Sequence, residues 1–522
     1  MTSTLFTNCK IWQPDGSFSE AFGIHGNRFD FVGTNYDANL ISSHYQKIAD
    51  LNNKLVLPGF IDSHVHLVHG SLTRKRIDCS YITNLTDLKK AVYTYKKKNP
   101  GIKWIIGGGL NGNLFVNEGA LFLDEVENKL PLFIGNFDYH SGFCNSKALE
   151  LSGLIQKTAD FSADEIPIDT SGSPTGVVKE KAMEFIFQNL PEPSLNEKCI
   201  AVTEVIKQMH TYGITSIGDI TLEENLEVYT KLHSMGKLDL RIASYLTIES
   251  VDESNKFTEF TELIDSSNFK IQGFKAYYDG ALGSETALFK ENYLYKDNNG
   301  YKTDIANSGL LDELCLRADN MKKQIIIHAI GDKAVSGVLD IYEELENING
   351  KRNRRHRIEH AQHIDENDFV RFIKTGTIPS VQPLHMKYDI PLALTKLPEK
   401  IIKRTHNYKA LIDNGVNVAF GTDYPIVEIN PFFTIQHAVT RKVDDKVFLP
   451  EYKINLHECI KAYTINGAYA SFSENQTGSI SVGKFADFIV MEDDLFKMDE
   501  DEISKARVLM TYFDGRFVYE NV

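Results

Sequence analysis

The chain carries only six cysteines, Cys9, Cys79, Cys144, Cys199, Cys315 and Cys459, and no two of them form a C-x-x-C pair. Such scatter offers neither a disulfide framework nor a cysteine-based zinc site, and reduced thiols in a cytoplasm fit it best. Long apolar runs are missing too: nowhere do the roughly 20 consecutive apolar residues of a membrane span occur. The opening "MTSTLFTNCKIWQPDG" has no basic region followed by an apolar stretch, so a soluble, non-exported, cytoplasmic protein is expected. There is no excess of positive charge. With 56 Lys+Arg against 71 Asp+Glu the formal net charge is -15, which argues against nucleic acid or an anionic membrane surface as a partner. Internal repeats and long low-complexity tracts are absent, and "YKKKNP" and "KRNRRHR" read as solvated loops.

What is present is length and a change of texture along it. A chain of 522 residues predicts one large domain with one or two others attached. Residues 1–57 read as short strands with turn signals ("QPDGSF", "HGNRFDFVG"), and residues 477–522 repeat that texture, so the two ends are expected to build one small β-sandwich domain. Between about 213 and 425, short apolar runs alternate with longer amphipathic segments, as βαβ units do. The runs are "GITSIGDI", "LRIASYLT", "IQGFKAYYDG", "QIIIHAIGD", "HRIEHAQ", "TIPSVQP" and "VNVAFGTDYP", and an earlier one ending at His66 makes eight. The expected fold is therefore α/β: a TIM-like (β/α)8 barrel from residues 58–69 and 196–476. An inserted α/β domain, 70–195, would lie over its active site.

"LVLPGFIDSHVHLVHG" places Asp62, His64 and His66 at alternating positions, which in a strand puts them on one face. A His-x-His pair alone decides little, because a strand histidine is commonly just hydrogen-bonded. The barrel supplies a test, since active sites in this fold sit at the C-terminal ends of the strands. His64 and His66 close the first strand, Lys275 lies late in the fourth, His328 ends the fifth, His360 the sixth and Asp423 the eighth. Singly, Lys275 could snorkel to water, the histidines could be core residues and Asp423 could cap a turn. Together they put costly polar groups at one end of one barrel, which favours a metal site. Tyr277, Asp279, Gln382 and His385 lie on or just after strands at the same end and are expected substrate contacts.

The blocks "LVLPGFIDSHVH", "WIIGGGLNGNLF", "DYHSGFCNSKALELSG", "FKAYYDGALGSETA", "IHAIGDKAV", "RIEHAQHI", "GTDYPI" and "AYTINGAYASFSENQTGSISVGKFADFIVMEDD" together resemble the amidohydrolase superfamily of metal-dependent hydrolases, in its YtcJ-like, N-substituted formamide deformylase-like branch. The resemblance implies one or two divalent metals, most often zinc, with His64, His66 and Asp423 on the more buried ion and His328 and His360 on the other. It implies that Lys275 bridges them as a carbamate formed with carbon dioxide. The implied activity is metal-activated hydroxide cleaving a non-peptide C–N bond (amide, N-formyl, N-acyl or cyclic amide) of a small molecule. Asp423 would shuttle the proton, with His328 and His140 as the next candidates. A deaminase is the nearest chemical alternative, and a non-catalytic protein on the same scaffold is the alternative of a different class. In the insert, His140 is expected to reach the site and Trp104 and Asn145 to shape its wall or pack the insert itself. Glu285 departs from the family pattern, where arginine is common. A homodimer is the family expectation.

Overall fold

The computed structural model describes residues 3–119, 121–136, 141–188, 190, 192–253, 264 and 267–521. The chain divides into two compact units, one of residues 1–70 with 199–522 and one of residues 71–198.

The larger unit contains eight parallel strands: β1 (Phe60–Val65), β2 (Ile214–Ile220), β3 (Arg241–Thr247), β4 (Phe269–Tyr277), β5 (Gln324–Ala329), β6 (Arg357–His360), β7 (Ile378–Val381) and β8 (Ala419–Phe420). Each pairs with the next in sequence. Closure comes just beyond β8, where Tyr424 bridges Val65 in parallel register, the Asp423 amide donates to the His64 carbonyl at 2.8 Å and the His66 amide to the Tyr424 carbonyl at 2.9 Å. The result is a TIM-like barrel. Its strands read as continuous apolar runs because both faces are covered; "QIII" in β5 is wholly buried. The cover comes from helices such as Asp332–Asn349, which buries Val335, Val338, Leu339, Tyr342 and Leu345 at helical spacing. Gly421 makes the closure possible: a Cβ there would lie 2.7 Å from the His64 amide nitrogen. Only a glycine lets the backbone pass that close and deliver Asp423 beside His64.

Strands from both chain ends form one eight-stranded sheet in the same unit. In its main path Arg516–Glu520, Val508–Phe513, Phe488–Met491, Lys47–Pro58, Ser3–Trp12, Ala21–His25 and Arg28–Gly33 follow one another. Two strands separate those of Phe22 and Phe488 in this order, yet their rings are 4.9 Å apart. The sheet is therefore rolled, with its halves facing across Phe6, Phe22, Phe29, Phe488 and Tyr512. The strand Lys47–Pro58 runs through Gly59 into β1 and so sets the start of the barrel.

The smaller unit has a five-stranded sheet. Ile77–Asp78, Ile105–Leu110 and Leu132–Asn136 are parallel, and Ser141–Cys144 and Val177–Lys179 continue it antiparallel. Helix Leu85–Lys98 buries Leu88 and Val92 in its core.

Both basic stretches depart from the expectation of solvated loops. Lys96–Lys98 form the last turn of helix Leu85–Lys98, where cations face the negative end of the helix dipole. In "KRNRRHR", Arg354, Arg355, His356 and Arg357 are buried. Arg354 donates to both Asp319 oxygens at 2.9 and 3.0 Å, and Arg355 pairs with Glu474 at 2.8 Å. All six cysteines are buried and free. Among the described residues no helix is long and apolar enough to cross a membrane.

Candidate metal centre

At the C-terminal end of the barrel, ligand atoms of His64, His360 and Asp423 lie within 4.8 Å of one another. Asp423 Oδ1 is 3.4 Å from His64 Nε2 and 3.2 Å from His66 Nε2. Two ligands of one tetrahedral zinc, each about 2.0–2.1 Å from the ion, stand about 3.4 Å apart, so these separations suit a shared cation. The remaining imidazole is adjacent, with the His328 ring centroid 4.5 Å from that of His360.

His64, His360 and His328 are each held by one ring nitrogen. His64 donates Nδ1–H to Glu359 at 2.5 Å, His360 donates Nδ1–H to Gln382 Oε1 at 2.8 Å, and His328 donates Nε2–H to the Gly280 carbonyl at 3.0 Å. These bonds fix the tautomers and leave the opposite nitrogen as the ligand. Burial drives the histidine pKa values down, His328 to about 3 and His64 and His360 in the same direction. For Asp423 burial opposes the charge, but the facing His64, His66 and His385 hold the carboxyl at about 2. Neutral imidazoles beside an ionised carboxylate are the donor set a divalent metal needs.

Two of these residues have left-handed backbone, His360 at φ 72° and Asp423 at φ 59°. Such conformations cost on the order of 1–3 kcal/mol each. Both turn the chain sharply at a strand end, where a regular strand would have pointed the next side chain away.

Among the described residues, the buried Lys275 Nζ and His385 Nε2 have no hydrogen-bond partner. Lys275 is 2 % exposed, and burial, partly offset by Glu359 and Asp423, lowers its pKa to about 8. His385 stacks on His360 with centroids 6.0 Å apart, its Nε2 4.0 Å from Asp423 Oδ2. A cavity of about 340 Å³ opens beside this group, with His66, Lys275 and Tyr277 among its walls.

Other expected contacts are engaged elsewhere. Gln382 is turned to His360. Asp279 accepts from the amides of Leu288, Ile330 and Gly331 at 2.8–3.0 Å, so it clamps two loops and offers substrate no free oxygen. Burial raises its pKa to about 7 against those bonds. Asn145 caps helix Ser146–Leu151; its oxygen accepts from Leu132 and Ala148 and its amide donates to the Glu127 and Leu130 carbonyls. That side chain is spent inside the insert. Trp104 packs on the insert core around Phe133 and Leu149. Glu285 is ion-paired to Lys296 and Lys396 at 2.5 and 2.9 Å. His140 lies outside the described residues.

Sequence reasoning missed what supports the ligands. Arg357 forks onto Glu359 at 2.7 and 2.8 Å and donates to the Ser63 carbonyl at 2.8 Å. With burial opposing its charge, Arg357 and His64 hold the Glu359 carboxyl well below the usual range. Asp62, though it alternates with His64, accepts from the Thr422 hydroxyl at 2.6 Å and its amide at 3.0 Å, anchoring the segment before Asp423. Asp219 accepts from the Leu67 amide at 2.7 Å, fixing the chain just after His66. The one available signal was the alternation of Arg357 and Glu359 in β6, which puts both on one face of that short strand.

A cluster of imidazoles and a carboxylate at the C-terminal rim of a (β/α)8 barrel defines a metal-dependent hydrolase fold and site. The particular family follows from comparison. The model of the amidohydrolase family matches residues 47–519, and the chain belongs to that family. It is 32% identical to the Protein LONG AFTER FAR-RED 3 of Arabidopsis thaliana, over 99% of this chain and 91% of that one. It is 30% identical to the putative amidohydrolase YtcJ of Bacillus subtilis (90% of each) and 25% to the N-substituted formamide deformylase of Arthrobacter pascens (100% and 99%). An uncharacterised metal-dependent hydrolase of Pyrococcus horikoshii shares the fold with a TM-score of 0.81 at 23% identity, over 96% of this chain and 99% of that one.

Proposed function

We propose that the protein hydrolyses a non-peptide C–N bond, in an amide, N-formyl, N-acyl or cyclic amide, of a small molecule. The carrying observation is the convergence of His64, His360 and Asp423 at the end of the barrel where the buried Lys275 amine has, among the described residues, no hydrogen-bond partner. A bound divalent metal, zinc by its fit to imidazole and carboxylate, would supply Lewis acidity toward water and the substrate carbonyl. His64, His66 and Asp423 would hold one ion, and His328 and His360 a second.

The remaining chemistry falls to the chain. Lys275, its ammonium destabilised by burial, would lose one proton to become an amine and a second on adding carbon dioxide at Nζ, giving an anionic carbamate whose oxygens could serve as ligands to both ions. Asp423 accepts the proton of the attacking water on a carboxylate oxygen and passes it to the leaving nitrogen. His385, beside Asp423 and with Nε2 free of a hydrogen bond among the described residues, is placed to contact a substrate oxygen. Glu359 and Gln382 hold His64 and His360 in register. Lys275 also favours this reading over a deaminase, which in this superfamily usually keeps one metal and lacks that lysine. Six free thiols suit a reducing cytoplasm.

The test is a screen of metal-loaded protein over N-formyl, N-acyl, carbamoyl and cyclic-amide compounds, with metal analysis of protein purified without added zinc. Turnover of one amide class with bound metal supports the proposal. Tight metal with ammonia released from an amidine would favour a deaminase, and a protein that binds no metal would favour a non-catalytic scaffold.

A further inference from the structure

We propose that the cavity beside the ligand cluster is a specificity pocket for an uncharged, apolar substituent, with Leu222, Tyr277 and Ile426 as its selecting rim. This rests on the hydrolase reading and names the substrate class for it. The cavity, about 340 Å³, runs from His66 and Lys275 out to the barrel mouth. Its apolar walls include Val68, Ile220 and Pro425. At its opening stand three large side chains left exposed, Leu222 at 44%, Tyr277 at 42% and Ile426 at 66%. Single exposed apolar residues need no explanation, but three around one concavity that leads to a polar cluster mark a ligand surface.

Three polar groups of the wall, Asp219, Thr221 and Thr247, are occupied within the protein. Asp219 accepts from the Leu67 amide, the Thr221 hydroxyl and the Tyr229 hydroxyl, and the Thr247 hydroxyl donates to Glu223 at 2.7 Å. Among the described residues no arginine lines the cavity, and its one lysine is Lys275, the residue proposed above as a metal ligand. A substrate carrying a carboxylate on the substituent would bury that charge without a partner, whereas an alkyl or aryl group would exchange water for apolar wall.

The experiment compares N-pentylformamide with 5-formamidopentanoate, which has a similar chain ending in carboxylate, on metal-loaded protein. Binding is read by titration calorimetry and hydrolysis by formate release. The pentyl compound should bind at least roughly 30-fold more tightly, within the range over which one pocket discriminates. Leu222→Lys should narrow that gap about 10-fold by giving the carboxylate a partner. Ile348→Lys, an exposed control outside the cavity lining, should leave it unchanged. Equal affinities, preference for the carboxylate, no binding of either compound, or a gap indifferent to Leu222→Lys would overturn the proposal. Formate release separates the two readings. A binding preference without hydrolysis would leave the pocket standing and count against formamides as substrates, while equal hydrolysis of both would sink the pocket and keep the hydrolase.

Discussion

The two ends of the barrel bury charge in opposite ways. At the N-terminal end every buried charge named here has a partner: Asp319 takes bonds from Arg352, Arg354 and His356, Arg241 forks onto Asp487 at 2.6 and 3.0 Å, and Arg355 pairs with Glu474. At the C-terminal end Lys275 Nζ and His385 Nε2 are buried without a hydrogen-bond partner among the described residues, and imidazoles crowd against one another. A buried polar atom left unpaired costs about 1–3 kcal/mol, so this end has given up stability for something that the other end has no need to hold. The lesson is that burial alone does not mark function here: buried polar atoms without a hydrogen-bond partner also occur elsewhere, as at Ser216 and Tyr463, and what sets this end apart is that Lys275 and His385 adjoin the ligand cluster.

The sharpest way to break this contrast is to exchange the consequences of mutation at the two ends. Asp423→Asn, reloaded with excess zinc, should lose on the order of 10²–10⁴-fold in turnover, because an amide cannot accept the proton of water. Its unfolding midpoint should stay close to that of the unmodified protein. Substantial activity in a variant shown to be fully metal-loaded would move the proton shuttle to His328 or His140. At the other end, Asp319→Ala should lower stability by about 3–5 kcal/mol by stranding Arg354 and His356, while kcat at a permissive temperature is unchanged. Denaturant titration and steady-state kinetics on both variants decide the matter.

Smaller effects sharpen the picture. Gln382→Leu removes the acceptor that orients His360 and should weaken metal binding by about 10–100-fold, measured by chelator competition. Lys275→Ala should lower the metal content from near two per chain and cost little stability, since the amine it removes has no partner; metal analysis with a thermal melt reads both. A variant that kept a full pair of metals and full activity would end the bridging role. The smallest effect is on pH. Burial works against the Asp319 charge, but His356 and Arg354 more than offset it, so its folded pKa lies below the usual carboxylate value. Its contribution is then fully present above about pH 4, the unfolded value, and is lost as pH falls further. Equilibrium unfolding between about pH 5 and 2 should show a shallower acid loss in Asp319→Ala than in the parent.

The same contrast explains what the sequence made legible. The barrel could be read because each strand is a short apolar run, and the ligands could be found because His64, His66, His328 and His360 end such runs with a chemically conspicuous residue. Asp423 was readable from "GTDYP" by its place after the last run, although β8 itself is only Ala419–Phe420. The supporting layer was not readable. Glu359 and Arg357 find their partners in Ser63 and His64, almost 300 residues earlier, and local pattern carries no trace of that pairing. "KRNRRHR" looked solvated for the same reason, since the carboxylates that bury it, Asp319 and Glu474, are distant in sequence. Asn145 is the reverse case: its position just before a helical run is an N-cap signal, and of the two roles open to it, wall of the site or packing of the insert, its hydrogen bonds fit the second.

The most direct test of the central claim is anomalous diffraction at the zinc edge from crystals of protein purified without added metal. The account predicts a peak enclosed by His64, His66 and Asp423, a second by His328 and His360, and extra density extending from Lys275 Nζ between them. Ordered water alone at that position, or a metal bound elsewhere with Lys275 unmodified and turned away, would contradict it.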